Sequence, residues 1–305
     1  MERIQIRVLE EDKLERLDAY LSNKCDLSRS QIQKLIKENK ILVNNQPTIN
    51  KYKVNPFDVI EIEYEDKTLT DIKPKDIPLD IVYEDEDVIV INKPKNMVVH
   101  PSAGNYDNTL VNALLFHCKE LSDVNGYYRP GIVHRIDKDT SGLLVCCKNN
   151  SAHAFIAAQL QDKTCYRKYY AIVNGVIENG QGVIDAPIGR SSKDRQKMEV
   201  TDKNSKKAIT EFKVLERYGN SSLLECELKT GRTHQIRVHM AFIKHPVLND
   251  PKYSKKIIDQ SGQYLHAYYL SFIHPRTKQR MEFKTDMPLY MKEYILKNGG
   301  KFASL

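Results

Sequence analysis

Between Gly131 and Val145 an apolar lead-in, Ile132-Val133, and an apolar exit, Leu143-Leu144-Val145, enclose His134, Arg135, Asp137, Lys138 and Asp139. An imidazole, a guanidinium and two carboxylates so closely spaced form a group with the means for chemistry. Apolar runs of this length bound strands, so the polar insert is expected at a strand junction facing a cleft. A carboxylate buried in such a cleft needs an opposite charge to stay ionised. A guanidinium is the natural partner, since it grips a carboxylate through two hydrogen bonds, and an aspartate held in this way is a candidate nucleophile. Spacing alone does not choose between Asp137 and Asp139, because both can point the same way from an extended segment.

Three further segments carry reactive side chains: Asn92-Lys93-Pro94-Lys95-Asn96-Met97-Val98-Val99-His100-Pro101, Arg167-Lys168-Tyr169-Tyr170-Ala171-Ile172-Val173, and Thr230-Gly231-Arg232-Thr233-His234-Gln235-Ile236-Arg237. Arg237 lies in a stretch suited to helix, with Ile236, Met240 and Ile243 spaced along one face. Such an arginine is either a structural salt-bridge partner or the counter-charge of a buried carboxylate. Tyr169, between Tyr166 and Tyr170, is either one of a strand's alternating aromatics, a stacking platform for a base, or a phenol placed for proton transfer. A Ser-His-Asp hydrolase drawn from His134, Asp137 and Ser141 is disfavoured. The chain has no Gly-x-Ser-x-Gly turn, and three members so close in sequence do not easily reach relay geometry.

The elements that must position these groups fall into two parts. Residues 1–65 read as a small α/β module: a helix with Leu14, Leu17 and Leu21 on its apolar face, and a second helix beginning at Ser28 with Gln31 completing a capping box. A strand Ile41-Leu42-Val43, a turn at Asn44-Asn45 and an alternating edge strand Val59–Tyr64 follow. Residues 66–78, rich in Lys, Asp and Pro, read as a linker. The second domain, 79–305, has a buried strand at Asp87–Asn92, helices at Thr109–Cys118 and Ser151–Leu160 (capped by Ser151), and strands at Tyr169–Val173, Ser222–Leu228 and Tyr268–Ile273. Strands and helices without regular alternation predict an α+β fold: a central bent sheet, mixed or antiparallel, flanked by helices and long loops.

A chain of 305 residues, 29% charged, has length for two domains with a sizeable core. No apolar stretch approaches the roughly 20 residues that span a bilayer, and the N-terminus lacks the apolar core of a secretory signal, so a cytoplasmic location is expected. The six cysteines include no Cys-x-x-Cys pair, which argues against a zinc site. All six read as small buried hydrophobes in a reducing compartment. A formal charge of +7 is weak support for a nucleic-acid partner. The second helix of the first module carries Arg29, Lys34, Lys37 and Lys40 against Glu38 alone. That is either a solvated face or an RNA-binding face that works through local rather than net charge.

These motifs, in this order, resemble the RluA/RluD family of RNA pseudouridine synthases. The run His134-Arg135-Ile136-Asp137 is similar to its His-Arg-Leu-Asp signature. Lys93-Pro94, Arg167-x-Tyr169-x-Ala171, Pro187-Ile188-Gly189-Arg190, Thr230–Arg237 and Leu265-His266-Ala267 follow the family order. The first module resembles an S-four-type RNA-binding domain through Arg16-Leu17-Asp18, Ser28–Ile36, Val43-Asn44 and Asp58-Val59-Ile60, with Asn39, Asn45 and Phe57 where relatives usually carry Gly. Asn96 and Asn249 replace glycines in the second domain. The resemblance implies isomerisation of uridine to pseudouridine, with Asp137 as the catalytic aspartate, Tyr169 as the active-site tyrosine and Arg237 as the Arg partner. It further implies Arg135 and His134 on the substrate, Arg135 helping to push the target nucleotide from its stack. Arg16, Arg29, Lys34 and Lys37 are the RNA contacts expected of the first module. Ribosomal RNA of the large subunit is the expected partner. A tRNA substrate, or a non-catalytic role in ribosome assembly, is the alternative. No cofactor, metal, membrane or obligate protein partner is expected.

Overall fold

The computed structural model describes residues 2–10, 12, 15–25, 29–64, 72–102, 105–126, 129–194 and 196–302. It divides into two compact units, Met1–Ile72 and Lys73–Leu305.

The first unit comprises β1 (Glu2–Arg7), α1 (Leu17–Lys24), α2 (Arg29–Lys37), β2 (Ile41–Val43), β3 (Gln46–Pro47) and β4 (Val59–Tyr64). Leu17, Tyr20 and Leu21 of α1 and Ile32 and Ile36 of α2 bury against Ile41, Val43, Ile60 and Ile62 of the sheet. Leu14, Ser28 and the side chain of Gln31, on which part of the helix expectations rested, lie outside the described residues. β4 alternates as expected, with Ile60 and Ile62 buried, but it is not an edge strand. The sheet order is β1-β4-β2-β3, with β1 paired antiparallel along its outer side. The alternating Glu2–Arg7 segment supplies that extra strand. Asn44 and Asn45, with φ of 52° and 63°, are both left-handed, the conformation a tight hairpin turn asks of its two central residues. Asn39 and Phe57 are left-handed as well, at φ of 56° and 70°. Asparagine tolerates this conformation better than other side chains. Phe57 is exposed, and the Arg7 guanidinium carbon lies 5.9 Å from its ring centre.

The second unit runs β5 (Ile81–Glu84), β6 (Val88–Lys93), α3 (Leu110–His117), β7 (Ser141–Cys147), α4 (Asn150–Gln161), β8 (Tyr166–Asn174), β9 (Gln181–Asp185), β10 (Ile188–Arg190), β11 (Met198–Val200), β12 (Ser205–Lys206), β13 (Ile209–Tyr218), β14 (Ser221–Leu228), α5 (Gln235–Phe242), β15 (Leu265–Ile273), β16 (Arg280–Lys284) and α6 (Leu289–Lys297). One mixed sheet takes the order β5-β6-β7-β15-β8-β14-β13-β9, with β16 also on β15. β7 and β15 pair in parallel through Ser141–His266 and Gly142–Ala267 only; the other pairings of this sheet among the described residues are antiparallel. Strands β10, β11 and β12 form a small separate sheet. The architecture is α+β.

β7 is buried along its whole length, as a strand covered on both faces must be. α4 packs Ala152 and Ile156 onto Val145, Leu270 and Phe272, and α6 packs Met291 and Ile295 onto Ile172 and Leu223. At Gly142 the backbone of β15 comes so near that a Cβ would stand 2.3 Å from the Ala267 carbonyl oxygen. Glycine is required there, and the close approach lets the polar run enter the centre of the sheet. The cap of α4 is Asn149, whose Oδ1 accepts from Ala152 N at 2.9 Å; Ser151, the expected cap, donates its hydroxyl to the same oxygen. Residues 73–78, read as linker, are tied to α3 by Lys75 N to Asn112 O and Asn112 Nδ2 to Lys73 O.

Candidate active site

The polar run reaches the sheet as a loop that turns at Asp137, where Thr140 N donates to the Asp137 carbonyl at 3.1 Å. The loop is braced from below by Lys93 at the end of β6. Its side chain is fully buried, and Nζ donates to the carbonyls of Pro94, Met97 and Lys138 at 2.7, 2.9 and 3.1 Å. Burial pushes this amine down to about 7, against the attraction of Asp137 and Asp139. Three acceptors call for three N–H donors, which only the ammonium form has. Lys93→Met keeps most of the bulk and leaves three carbonyls without a donor. It is expected to lower stability by about 3 kcal/mol, read from the denaturant midpoint, and to slow turnover by loosening Asp137. Unchanged turnover would separate Lys93 from the reacting groups.

The two carboxylates of the loop part company. Asp139 packs against Gly262, where an added Cβ would lie 2.4 Å from the Asp139 Cβ. Asp137 instead accepts from Arg237 Nη1 at 2.8 Å through Oδ2. Arg237 comes from the first turn of α5 and is buried. It also gives Nε and Nη2 to the fully buried Asp250 at 2.7 and 2.8 Å. One guanidinium thus serves two carboxylates through three charge-assisted bonds. Burial pushes the Asp137 carboxyl up, but Arg237, His234 and Arg135 together hold it below the usual carboxylate range. The aspartate is therefore ionised across the neutral range.

A cavity of about 90 Å³ opens over this pair, lined among others by Arg135, Asp137, Tyr169, Arg232, His234 and Arg237. Tyr169 and Arg167 sit two residues apart on β8 and so share one face; both are buried and both line the cavity. Burial raises the Tyr169 phenol, so it stays protonated. Arg167 Nε is buried with no hydrogen-bond partner among the described residues. Arg135 is exposed.

His134, expected on the substrate, does not line the cavity. Its Nε2 accepts from Val145 N at 3.1 Å, its Nδ1 is buried without a partner among the described residues, and burial pushes the imidazole down to about 3. The ring is a neutral brace between the loop and β7. Ser141 pairs with His266 Nδ1 at 2.8 Å rather than with His134, which removes the hydrolase arrangement. In the first unit Arg16 and Arg29 both reach Asp18, at 2.9 and 3.4 Å, and their side chains remain 45% and 55% exposed. Lys34 lies 3.8 Å from Glu38, and Lys37 is exposed without an ion-pair partner among the described residues.

Asp250 and Tyr253 were not anticipated. They sit in the stretch Asn249–Ser254, whose signal was limited to an asparagine at a glycine position; Asn249 is left-handed at φ 58°, as is Asn96 at 62°. A second cluster, Asp85, Asp87 and His274, has ligand atoms within 4.8 Å of one another. Its donors are already engaged: His274 Nε2 meets Asp85 Oδ2 at 2.7 Å and Arg276 forks onto Asp87.

The RNA pseudouridylate synthase family model matches residues 87–242, and the S4 domain model matches residues 15–60. The Uncharacterized RNA pseudouridine synthase YlyB of Bacillus subtilis is 50% identical over 297 residues, 97% of this chain and 98% of its own. The Ribosomal large subunit pseudouridine synthase D of Zymomonas mobilis is 46% identical over 303 residues, 94% of this chain and 95% of its own. Among solved structures, Human RNA Pseudouridylate Synthase Domain Containing 1 superposes with a TM-score of 0.57 at 26% identity, covering 68% of this chain and 83% of that one. The chain belongs to the RNA pseudouridylate synthase family. Its S4 domain stands ahead of the synthase domain.

Proposed function

We propose that this chain converts specific uridines of large-subunit ribosomal RNA to pseudouridine, in the cytoplasm, and that Asp137, Arg237 and Tyr169 form its catalytic group. The observation that carries this reading is the Asp137 carboxylate, held 2.8 Å from Arg237 in a cavity it shares with Tyr169. In the reaction the uracil leaves carbon 1′ of the ribose, turns and rejoins through carbon 5. The target must first leave its helix, at a cost of a few kcal/mol. Arg135, exposed and with no hydrogen bond or ion pair among the described residues, fills the vacated stack by its planar guanidinium. Asp137 acts on the extruded nucleotide by one of three routes: attack at the sugar carbon, attack at carbon 6 of the base, or removal of a sugar proton. Tyr169 packs on the base and assists loss of the proton from carbon 5. Every bond broken is replaced within the same nucleotide, so no oxidant, reductant or transferred group enters. His134 acts through the loop it braces rather than on the substrate.

Residues 1–65 hold the RNA and residues 79–305 carry the chemistry, with 66–78 between them. Arg16, Arg29, Lys34 and Lys37 present cations for phosphate contact, two of them still half exposed beside Asp18. The ribosomal substrate rests on the likeness to a relative named for the large subunit. Mapping pseudouridines by chemical labelling in a strain lacking this chain tests it. Sites lost from large-subunit RNA and restored by the wild-type chain are expected. Losses confined to tRNA would redirect the substrate, and no loss in any RNA would overturn the reading.

A further inference from the structure

Only one oxygen of Asp137 is bonded to Arg237. The other, Oδ1, faces His234 Nε2 at 4.0 Å. His234 is the cap residue of α5 and adopts a left-handed backbone at φ 57°, ψ 20°, a position where glycine would sit without strain. The side chain therefore stands there against a backbone preference. Its other nitrogen, Nδ1, lies 2.8 Å from the Tyr253 hydroxyl, which also accepts from Met198 N at 2.9 Å. With the backbone N–H already donating to it, the phenol has Nδ1 as the one acceptor for its own proton among the described residues; the reverse tautomer would leave that proton unused. A neutral imidazole that accepts at Nδ1 must carry its hydrogen on Nε2. Burial pushes the His234 ring down to about 4 and the Tyr253 phenol up to about 12, so both are neutral. Tyr253 also lies beneath Arg237, whose guanidinium carbon is 5.2 Å from its ring centre. Arg237 and His234 thus flank the Asp137 carboxylate, with Tyr253 behind both.

We propose that Tyr253 fixes His234 as its Nε2–H tautomer and that His234 is a positioning residue for Asp137, donating to Oδ1 once the bound nucleotide closes the 4.0 Å gap. The assignment rests on Asp137 as the reacting carboxylate. Hydrogen bonds in a site without substrate are commonly long and tighten on binding. With Arg237 on Oδ2 and His234 on Oδ1, both oxygens are then held at a set angle to the nucleotide. Nitrogen-15 NMR of the full-length chain reads the tautomer directly: His234 is expected protonated at Nε2 and bare at Nδ1, and Tyr253→Phe is expected to move that proton. A wild-type ring protonated at Nδ1 would overturn the proposal whether or not the chain modifies RNA. In turnover assays His234→Gly is expected to lower kcat roughly tenfold to a hundredfold with KM nearly unchanged and thermal stability maintained or raised, because the left-handed strain is relieved. His234→Gln, whose amide nitrogen reaches the Nε2 position, is expected to recover part of kcat, and His234→Asn is not. Wild-type kcat in His234→Gly, or equal kcat in the Gln and Asn variants, would refute the role. Failure of the wild-type chain to form pseudouridine would remove the reaction while the NMR result still decided the tautomer.

Discussion

Asp137→Asn is expected to reduce pseudouridine formation roughly a thousandfold or more, the scale on which loss of a reacting group acts, while the fold is kept. The amide retains the shape of the carboxylate and can still accept from Arg237 Nη1. Arg237 also keeps its two bonds to Asp250, so no buried cation is left unpaired. Stability is therefore expected to change by no more than about 1 kcal/mol. The pair of measurements, hydrogen release from carbon 5 of uridine and thermal midpoint, separates chemistry from folding. Near-normal turnover would exclude Asp137 as the reacting group. In the wild type, Asp137 lies below the usual carboxylate range of about 3.8 in the folded chain. A depressed carboxyl stabilises the fold above its unfolded value and loses that contribution as pH falls through the folded one. No acid limb from this group is expected in the rate near neutrality; protonation should silence it only below the ordinary aspartate value.

Arg237→Lys is the second large effect. The charge remains, but a single ammonium replaces a planar fork that holds two carboxylates on three nitrogens. Lysine cannot span Asp137 and Asp250 together, so one buried carboxylate loses its partner. Breaking a buried pair costs several kcal/mol when a charge is stranded; with the charge retained, a loss of about 2 kcal/mol is expected. Turnover should fall about a hundredfold, since misplacement of a reacting group by an ångström acts on that scale. RNA affinity should stay within about twofold, because Arg237 is buried beneath the cavity rather than offered to the backbone of a nucleic acid. Equal losses in turnover and affinity would mean that Arg237 is an RNA contact.

Much of this site could be read from the order of residues because its parts are local. His134 to Asp137 is one loop, Tyr169 is on one strand, and Arg237 is in one helix turn. Their meeting was not legible from spacing, since Asp137 and Arg237 are 100 residues apart and are joined only by the order of β7, β15 and β8. The resemblance alone chooses Asp137 over Asp139; what spacing does not show is that the loop turns between them and sends Asp139 to Gly262. Asp250 and Tyr253 escaped notice because one charge and one phenol in a loop carry no period. His134 misled because an imidazole beside a reactive motif reads the same whether it faces the cavity or the backbone of Val145. In the fold, long apolar elements such as β6 and α3 were legible. β1, β3, β5, β9 to β13, β16 and α6 were not; the strands among them are short or half-exposed and owe their existence to partners elsewhere in the chain. The edge assignment of β4 failed for the same reason: one wet face is compatible with an interior strand when the sheet is antiparallel.

Arg167, whose buried Nε has no hydrogen-bond partner among the described residues, bears on how a nucleotide would enter. Asp137, Asp139 and Asp250 are matched in number by the buried cations Arg237, Lys93 and Arg167, the last on the same face as Tyr169. Arg135 and Arg232 stand further out with positive charge to spare. On the proposed reaction, a nucleotide approaching this gradient would be sorted end from end: its uncharged pyrimidine would meet the hollow where the charges cancel, while its phosphodiesters would be held by cations at the threshold. A cleft of this kind would admit the ring and keep the backbone outside before any hydrogen bond had read the base.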